Sequence, residues 1–538
     1  MTVETYNGDQ SIALGAIESG VGVVTGYPGS PGTGTFNTLA KTQEDHGHHA
    51  EWCPNERIAL DIAAGASQGG KRALVCLKSV GMNVALDTLM VLNMTGVHSG
   101  LVILLGDDPG AWGSQNEQDT RPLGNLSELP VLEPASPEEG RQMTRWAFDF
   151  SEKHCSIVII RITRSFSVSE AQQLSAEPPE NLPSLPPSRE QMRWISSPFN
   201  TLQNHRRLHK RLAEMATGFE GLPFNQRMGT GPRGIIAGGF VYSKLEDAFG
   251  DSHRDDITVL KLSTLHPLPA RLIADFMDHC KEILVLEEVD PYLEDAIKTV
   301  GYDAGVRPKI YGKRTGDVSW EGELFRWQIQ NALRNYVPDF SPGREFLQKN
   351  WEMEKPARKS HCAGCPYEEI VRALREEAAA IGQNPYLTAD PGCVVMAAKL
   401  LDTKLCMGSS IGAAIGLGFA GVGERTVAFT GDSAFYHSSI NGLVHAGATG
   451  ADLLMIVLDN GGALTTGGQP SPDRAEFGRN DAGNPVSIED MAKTCGVRDI
   501  WTIGPSDTED RMRSVFRGAL KRKGLDMIVI RRPCDPVP

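Results

Sequence analysis

The sequence predicts an α/β protein of three successive domains with mainly parallel sheets. Three observations lead there. At 538 residues the chain exceeds what one hydrophobic core organises, since domains hold roughly 100 to 200 residues. Short aliphatic and β-branched runs alternate with longer stretches of helical periodicity, the pattern of strands joined by crossover helices. A proline-dense stretch, "EPPENLPSLPP" at 177–187, interrupts that alternation, because proline continues neither a helix nor a central strand.

In chain order, the first domain (1–170) reads helical "QSIALGAIESG", strand "VGVVTGYP", helical "NERIALDIAAGASQGG", then strands "RALVCLK", "GLVILLGDD" and "CSIVIIRITR". The segment 171–231 holds the proline-rich linker and a basic amphipathic helix, "NHRRLHKRLAEMA", whose charges read as a solvated face. A second α/β domain (232–345) runs from "RGIIAGG" through "ITVLKLS" to "EILVLEEVD". The third (346–538) has its clearest strands in "RTVAFTGDS", "DLLMIVLDN" and "DMIVIRRP".

Composition narrows the function. With 53 Lys+Arg against 67 Asp+Glu and a net charge of -14, the chain lacks the basic footprint of a nucleic-acid binder. Its longest apolar runs are strand-sized, so no membrane span is expected. "MTVETYNGDQ" has no basic region ahead of an apolar one, so the expected location is the cytoplasm, where ten cysteines stay reduced thiols.

The richest segment is "TGDSAFYHSSINGLVHAGATGADLLMIVLDNGG", Thr430 to Gly462. Strand "RTVAFT" leads into Gly431-Asp432-Ser433, and strand "DLLMIVL" leads into Asp459-Asn460-Gly461-Gly462. A right-handed strand–crossover–strand unit brings both strand ends to one sheet edge, where open α/β sheets bind ligands. Asp432, Asn460 and a carbonyl freed by the glycine turn then form part of an oxygen shell suited to Mg²⁺. The glycines admit a diphosphate closely, and the helix start after Ser433 offers it N–H donors. Taken singly, Gly-Asp and Asp-Asn-Gly-Gly are ordinary turn chemistry. Together, with 25 residues between Ser433 and Asp459, they are similar to the thiamine-diphosphate signature. The literal GxGxxG at Gly416, Gly418 and Gly421 follows no β-run and reads instead as close helix packing.

Nearly the whole chain resembles the large (alpha) subunit of the indolepyruvate ferredoxin oxidoreductases, thiamine-dependent 2-oxoacid:acceptor oxidoreductases. The stretches that carry the resemblance are "GYPGSPGT", "EWCPNERIALDIAAGAS", "DDPGAWGSQNEQDTR", "HCAGCP", "CMGSSIG", "GDSAFYHSSI" and "DNGGALTTGGQPSP". It implies, in order, a pyrimidine-binding domain, a transketolase C-terminal-like domain and a diphosphate-binding domain. It places Glu56 against the cofactor's aminopyrimidine, where a shared proton activates the ring. Read alone, Glu56 is an acidic first-turn residue after Asn55 as N-cap. Ser30 stands where relatives carry threonine, and its hydroxyl can still meet a 2-oxoacid. His437 is placed on the diphosphate side with Gly431 and Ser433, and the metal ligands become Asp432, Asn460 and the Gly462 carbonyl. Gln115, Asn116 and Arg121 lie in a loop that resembles one near the pocket, without assigned roles.

The cysteines bear on where electrons go. The four-cysteine run of a bacterial ferredoxin domain is absent from the sequence. Cys362 and Cys365 form a C-x-x-C, followed by Cys393 in "ADPGCVV" and Cys534 in "RRPCDP". In order and approximate spacing they resemble the ligands of the cofactor-proximal 4Fe-4S cluster in the wider pyruvate:ferredoxin oxidoreductase family, with Cys406 as a spare. A C-x-x-C alone also reads as a structural thiol pair or half a zinc site. The resemblance implies oxidative decarboxylation of a 2-oxoacid, aryl pyruvates by default, to an acyl-coenzyme A. Electrons pass to a ferredoxin-like acceptor, and a small (gamma-type, or beta) second subunit completes a homodimer of heterodimers. Two other readings stand beside it: a non-oxidative 2-oxoacid decarboxylase, and a scaffold subunit that binds no cofactor.

Overall fold

The computed structural model describes residues 2–181, 183–190, 192–250, 255–348, 362, 364–477 and 484–534. The chain divides into two compact units, Met1–Arg358 and Lys359–Pro538. They carry three mainly parallel sheets, the α/β architecture expected from the sequence.

In the first unit a seven-stranded sheet has the order β12 (Thr264–His266), β6 (Val131–Leu132), β7 (Val158–Thr163), β5 (Leu101–Asp107), β4 (Ala73–Lys78), β2 (Val23–Gly26), β3 (His49–Trp52). All neighbours are parallel except β12, which pairs antiparallel with β6. The central strands read as unbroken apolar runs because both faces are buried. Leu74, Cys76, Val102 and Leu104 point into one core. Their neighbours Ala73, Val75, Leu77, Leu101, Ile103 and Leu105 point into the other, as a period of two requires. A ribbon of β1 (Val3–Asn7) and β8 (Glu170–Leu174) joins the ends of this region.

A five-stranded sheet follows: β14 (Lys309–Tyr311), β13 (Glu282–Leu286), β10 (Arg233–Gly238), β11 (Ile257–Leu262), β9 (Gln226–Gly229), with β9 antiparallel. Because β12 follows β11 yet completes the first sheet, the two sheets are interlocked in one unit. Buried ions fasten them. Arg121 donates to Glu287 at 2.6 Å and to the carbonyls of Glu288 and Asp290. Lys244 pairs with Glu288 at 2.7 Å and Glu323 at 3.0 Å, and Trp112 Nε1 donates to Glu323 at 3.0 Å. Each buried charge thus has a partner, without which it would be expelled from the core.

The second unit is one all-parallel sheet: β16 (Thr403–Lys404), β15 (Leu387–Ala389), β17 (Thr426–Gly431), β18 (Leu453–Asp459), β20 (Leu525–Arg531), β19 (Ile500–Ile503). Leu454, Ile456 and Leu458 face one core, and Leu453, Met455 and Val457 face the other. Gly416 and Gly418 lie in the helix Ser409–Phe419, so the GxGxxG is not a strand-to-helix loop. The packing expected of it is not found among the described residues, where a Cβ at Gly416, Gly418 or Gly421 would meet nothing within 4 Å. Among the described residues no helix is long and apolar enough to cross a membrane.

Candidate active site

In the second unit, β17 and β18 run parallel with Gly431 opposite Leu458. Their C-terminal ends are level, so Asp432 and the Asp459–Gly462 turn meet at one edge. Asp432 is buried and opens the helix that follows, with Gly431 as its N-cap. Its carboxylate accepts from Ser433 N at 2.8 Å and from Gly461 N at 3.0 Å. Burial, reinforced by the neighbouring Asp459 and Asp473, pushes the Asp432 carboxyl up to about 7 against those two hydrogen bonds. Two guanidiniums, Arg474 at 2.5 Å and Arg531 at 3.0 Å, are directed to Asp459. A buried carboxylate beside two others, with no ion pair of its own among the described residues, fits a bound cation.

Asn460, directly after β18, donates its amide nitrogen to Cys393 Sγ at 3.4 Å. The amide oxygen is therefore the atom left for a cation. The Gly462 carbonyl accepts from Leu464 N at 3.0 Å, which leaves its second lone pair as a possible ligand. Gly462 has to be glycine: its φ is 148° and a Cβ would lie 2.3 Å from the Gln469 carbonyl oxygen.

The helix after Asp432 takes a π turn at Phe435–Ser439 before resuming as Ile440–Thr449. Such π turns inside helices are frequent at functional sites. His437 lies buried within it, Nδ1 2.6 Å from Ser438 Oγ. The turn also carries Ser439, whose hydroxyl donates to Asp390 at 2.8 Å. Asp390 accepts in addition from Ser410 N at 2.8 Å, tying the start of helix Ser409–Phe419 to the same edge.

Three cysteines of the unit, Cys365, Cys393 and Cys534, lie close enough to act on one another beside the cation position. Burial pushes the Cys393 thiol up to about 11, with Cys365, Cys534 and Asp432 adding to the rise and the Asn460 hydrogen bond opposing it. Cys365 N donates to the Cys362 carbonyl at 3.1 Å, the tight turn of a C-x-x-C. Tyr367 stands among them. Its phenol is raised by burial and by Cys393, Asp432, Cys365 and Cys534, and its buried hydroxyl has no hydrogen-bond partner among the described residues. An orphaned donor flanked by thiols and a carboxylate fits a group that offers it an acceptor there. Cys406 is exposed, at the turn into helix Ser409–Phe419.

In the first unit, Glu56 is the first residue of helix Glu56–Gln68, capped by Asn55, whose side chain accepts from Ile58 N at 2.9 Å. Glu56 is buried. Gly81, in the first turn of helix Ser79–Thr95, makes room for it: a Cβ there would lie 2.3 Å from Glu56 Oε1. The carboxylate therefore sits near two helix N-termini, where negative charge is favoured. Ser30 is exposed in the loop after β2. That loop rests on Lys78, since a Cβ at Gly29 would lie 2.9 Å from Lys78 Cβ. Lys78 is held near Asp108 (3.9 Å) and Gly113 O (3.3 Å), and burial lowers its amine, which Asp108 partly restores. Gln115 and Asn116 are exposed, whereas Arg121 is one of the buried fastenings between the two sheets. Lys78, Tyr367, Asp390 and Ser439 were not singled out from the sequence.

Residues 390–530 match the thiamine pyrophosphate enzyme, C-terminal TPP binding domain family. This span opens on Asp390 and contains Asp432, Asn460 and the π turn. Over 98% of its length the chain is 32% identical to the indolepyruvate oxidoreductase subunit IorA of Pyrococcus abyssi, covering 85% of that protein. The chain belongs to the indolepyruvate oxidoreductase IorA family. The subunit IorA of Archaeoglobus fulgidus is likewise 32% identical over 98% of this chain and 86% of its own length. Among solved structures, a 2-oxoglutarate:ferredoxin oxidoreductase from Magnetococcus marinus, with 2-oxoglutarate, coenzyme A and succinyl-CoA bound, superposes with a TM-score of 0.51 at 17% identity. The match covers 62% of this chain and 65% of that one and supports the α/β architecture. As a family member this chain is a subunit of a thiamine-diphosphate-dependent 2-oxoacid oxidoreductase.

Proposed function

We propose that the chain catalyses oxidative decarboxylation of an aryl pyruvate, indolepyruvate by default, to the corresponding acyl-coenzyme A. The 2-oxoacid and coenzyme A yield acyl-CoA, carbon dioxide, a proton and two electrons. A 4Fe-4S cluster, when bound, would carry the electrons singly toward a ferredoxin-like acceptor, and a small second subunit completes the enzyme as a homodimer of heterodimers. The observation that carries the reading is the meeting of Asp432 and the Asn460–Gly462 turn at one sheet edge, with Cys393 hydrogen-bonded to Asn460 beside them.

Thiamine diphosphate, when bound, supplies the carbon nucleophile and electron sink that decarboxylation needs. The chain's own residues do the rest. Asp432, Asn460 and the Gly462 carbonyl hold Mg²⁺, and Gly431, Ser433 and His437 line the diphosphate side. Glu56 shares a proton with the aminopyrimidine, a contribution of about 10²–10⁴ in rate for positioned acid–base groups. Ser30 orients the 2-oxoacid, and Lys78 offers its carboxylate a partly desolvated cation. Cys362, Cys365, Cys393 and Cys534 would hold the cluster, which would supply one-electron carriage, and the Tyr367 hydroxyl stands free to donate beside Cys393.

The test is anaerobic reduction of a viologen dye with a panel of 2-oxoacids, with and without coenzyme A and the second subunit. Aryl pyruvates should reduce the dye fastest and only with coenzyme A, and Glu56→Gln should lose most of the rate. Release of an aldehyde without dye reduction would replace this reading with a non-oxidative decarboxylase.

A further inference from the structure

Away from the thiamine-type site, the described residues contain one constellation with the donor chemistry of a metal centre: Glu128, His205 and His209. The two histidines are four residues apart on helix Thr201–Phe219, hence on one face. Their Nε2 atoms meet opposite oxygens of one carboxylate, at 3.0 Å for His205 with Oε2 and 2.7 Å for His209 with Oε1. All three donor atoms lie within 4.8 Å of one another.

The site is held from outside. Leu208, Met215 and Phe219 bury the adjoining face of the helix. Arg211 pins it by donating to the Asn93 carbonyl at 2.7 Å and the Cys155 carbonyl at 3.2 Å. Glu128 is the C-cap of the short helix Leu123–Ser127, three residues before β6 begins at Val131. The basic helix is thus more than a solvated face.

The two imidazoles, with ring centroids 4.2 Å apart, converge on a single carboxylate. That convergence suits a divalent ion, whose ligands are neutral imidazoles and an ionised carboxylate. Two histidines at i and i+4 with one glutamate are the N/N/O set that borderline ions such as Zn²⁺ take, whereas Mg²⁺ and Ca²⁺ prefer oxygen alone. The side chains of His205 and His209 are 39% and 57% exposed, so water can fill the remaining positions.

We propose that Glu128, His205 and His209 bind a Zn²⁺-class divalent ion that clasps the helix after the proline-rich segment to the turn before β6. The inference is independent of the thiamine reading. It is tested with tag-free, full-length, anaerobic protein titrated with Co²⁺, in a Cys362→Ser/Cys365→Ser background that removes the C-x-x-C thiols. Saturating, weak visible bands without strong thiolate charge-transfer absorption are expected, displaced by Zn²⁺. Affinity should fall by at least roughly tenfold in Glu128→Gln and be lost in His205→Gln/His209→Gln, since disturbing even outer-shell groups costs about 10- to 100-fold. His209→Gln alone, at the most exposed of the three positions, serves if the double variant misfolds. Zn²⁺ should also raise the melting temperature of the wild-type chain and not of the variants. Absence of the visible bands, or Co²⁺ affinity unchanged by the histidine substitutions, would overturn the site.

Discussion

Gly81→Ala tests whether the placement of the Glu56 carboxylate matters, without changing a charged group. The added Cβ would lie 2.3 Å from Oε1, 2.6 Å from Cγ and 2.8 Å from Cδ of Glu56. Carbon atoms in contact prefer about 3.5–4.0 Å, so the glutamate must retreat by about 1 Å. A displacement of that size in a group that must meet a reacting atom costs about 10²-fold in rate, equivalent to about 2.7 kcal/mol in the barrier. The assay is anaerobic dye reduction at saturating thiamine diphosphate and Mg²⁺, with circular dichroism to verify folding. Gly65→Ala, in the helix that Glu56 opens, is the control, because a Cβ there would meet nothing within 4 Å. The control should keep wild-type turnover and gain roughly 0.4–1 kcal/mol of stability. A folded Gly81→Ala protein turning over within threefold of wild type would refute the role given to Glu56.

Two further outcomes follow from buried groups. Tyr367→Phe removes a buried hydroxyl with no partner among the described residues; the cofactor-free protein should be more stable by roughly 1–3 kcal/mol in denaturant melts, while the loaded enzyme should lose activity. Burial pushes the Asp9 carboxyl up to about 6, against the hydrogen bond from Thr35 Oγ1 at 3.0 Å. Between about pH 4 and 6 the folded chain then holds that proton more tightly than the unfolded one, so stability falls as pH rises through the window. Asp9→Asn should remove roughly 3 kcal/mol of that fall, read as the difference between the two proteins' denaturant midpoints across the range; parallel pH profiles would contradict it.

What was legible in the sequence divides along physical lines. Strands buried on both faces, such as β5 and β18, announce themselves as unbroken aliphatic runs. Edge elements do not: β6 is the two residues Val131–Leu132, and β8 is the polar "EAQQL". The insertion of β12 into the first sheet is a long-range pairing that local pattern does not encode. Asp432 and Asn460 were readable because each directly follows a strong strand, and parallel connection rules bring such ends together. The partners that tune them were not. Tyr367 matters through cysteines and a carboxylate from distant segments, and Gly81 matters through a space that exists only once two helices pack. Arg121, in a loop that resembles a pocket loop, turned out to be bound to Asp119, Glu287 and two carbonyls, a fastening rather than a ligand group.

The account rests on the cation position at the ends of β17 and β18, and the most direct measurement is calorimetric titration of the full chain with thiamine diphosphate, with Mg²⁺ or with chelator. Saturable heat that requires Mg²⁺, and that disappears in Asp432→Ala and weakens strongly in Asn460→Ala, is the predicted result. Binding that is indifferent to Mg²⁺ or unchanged by both substitutions, or no heat from the wild-type chain, would contradict it.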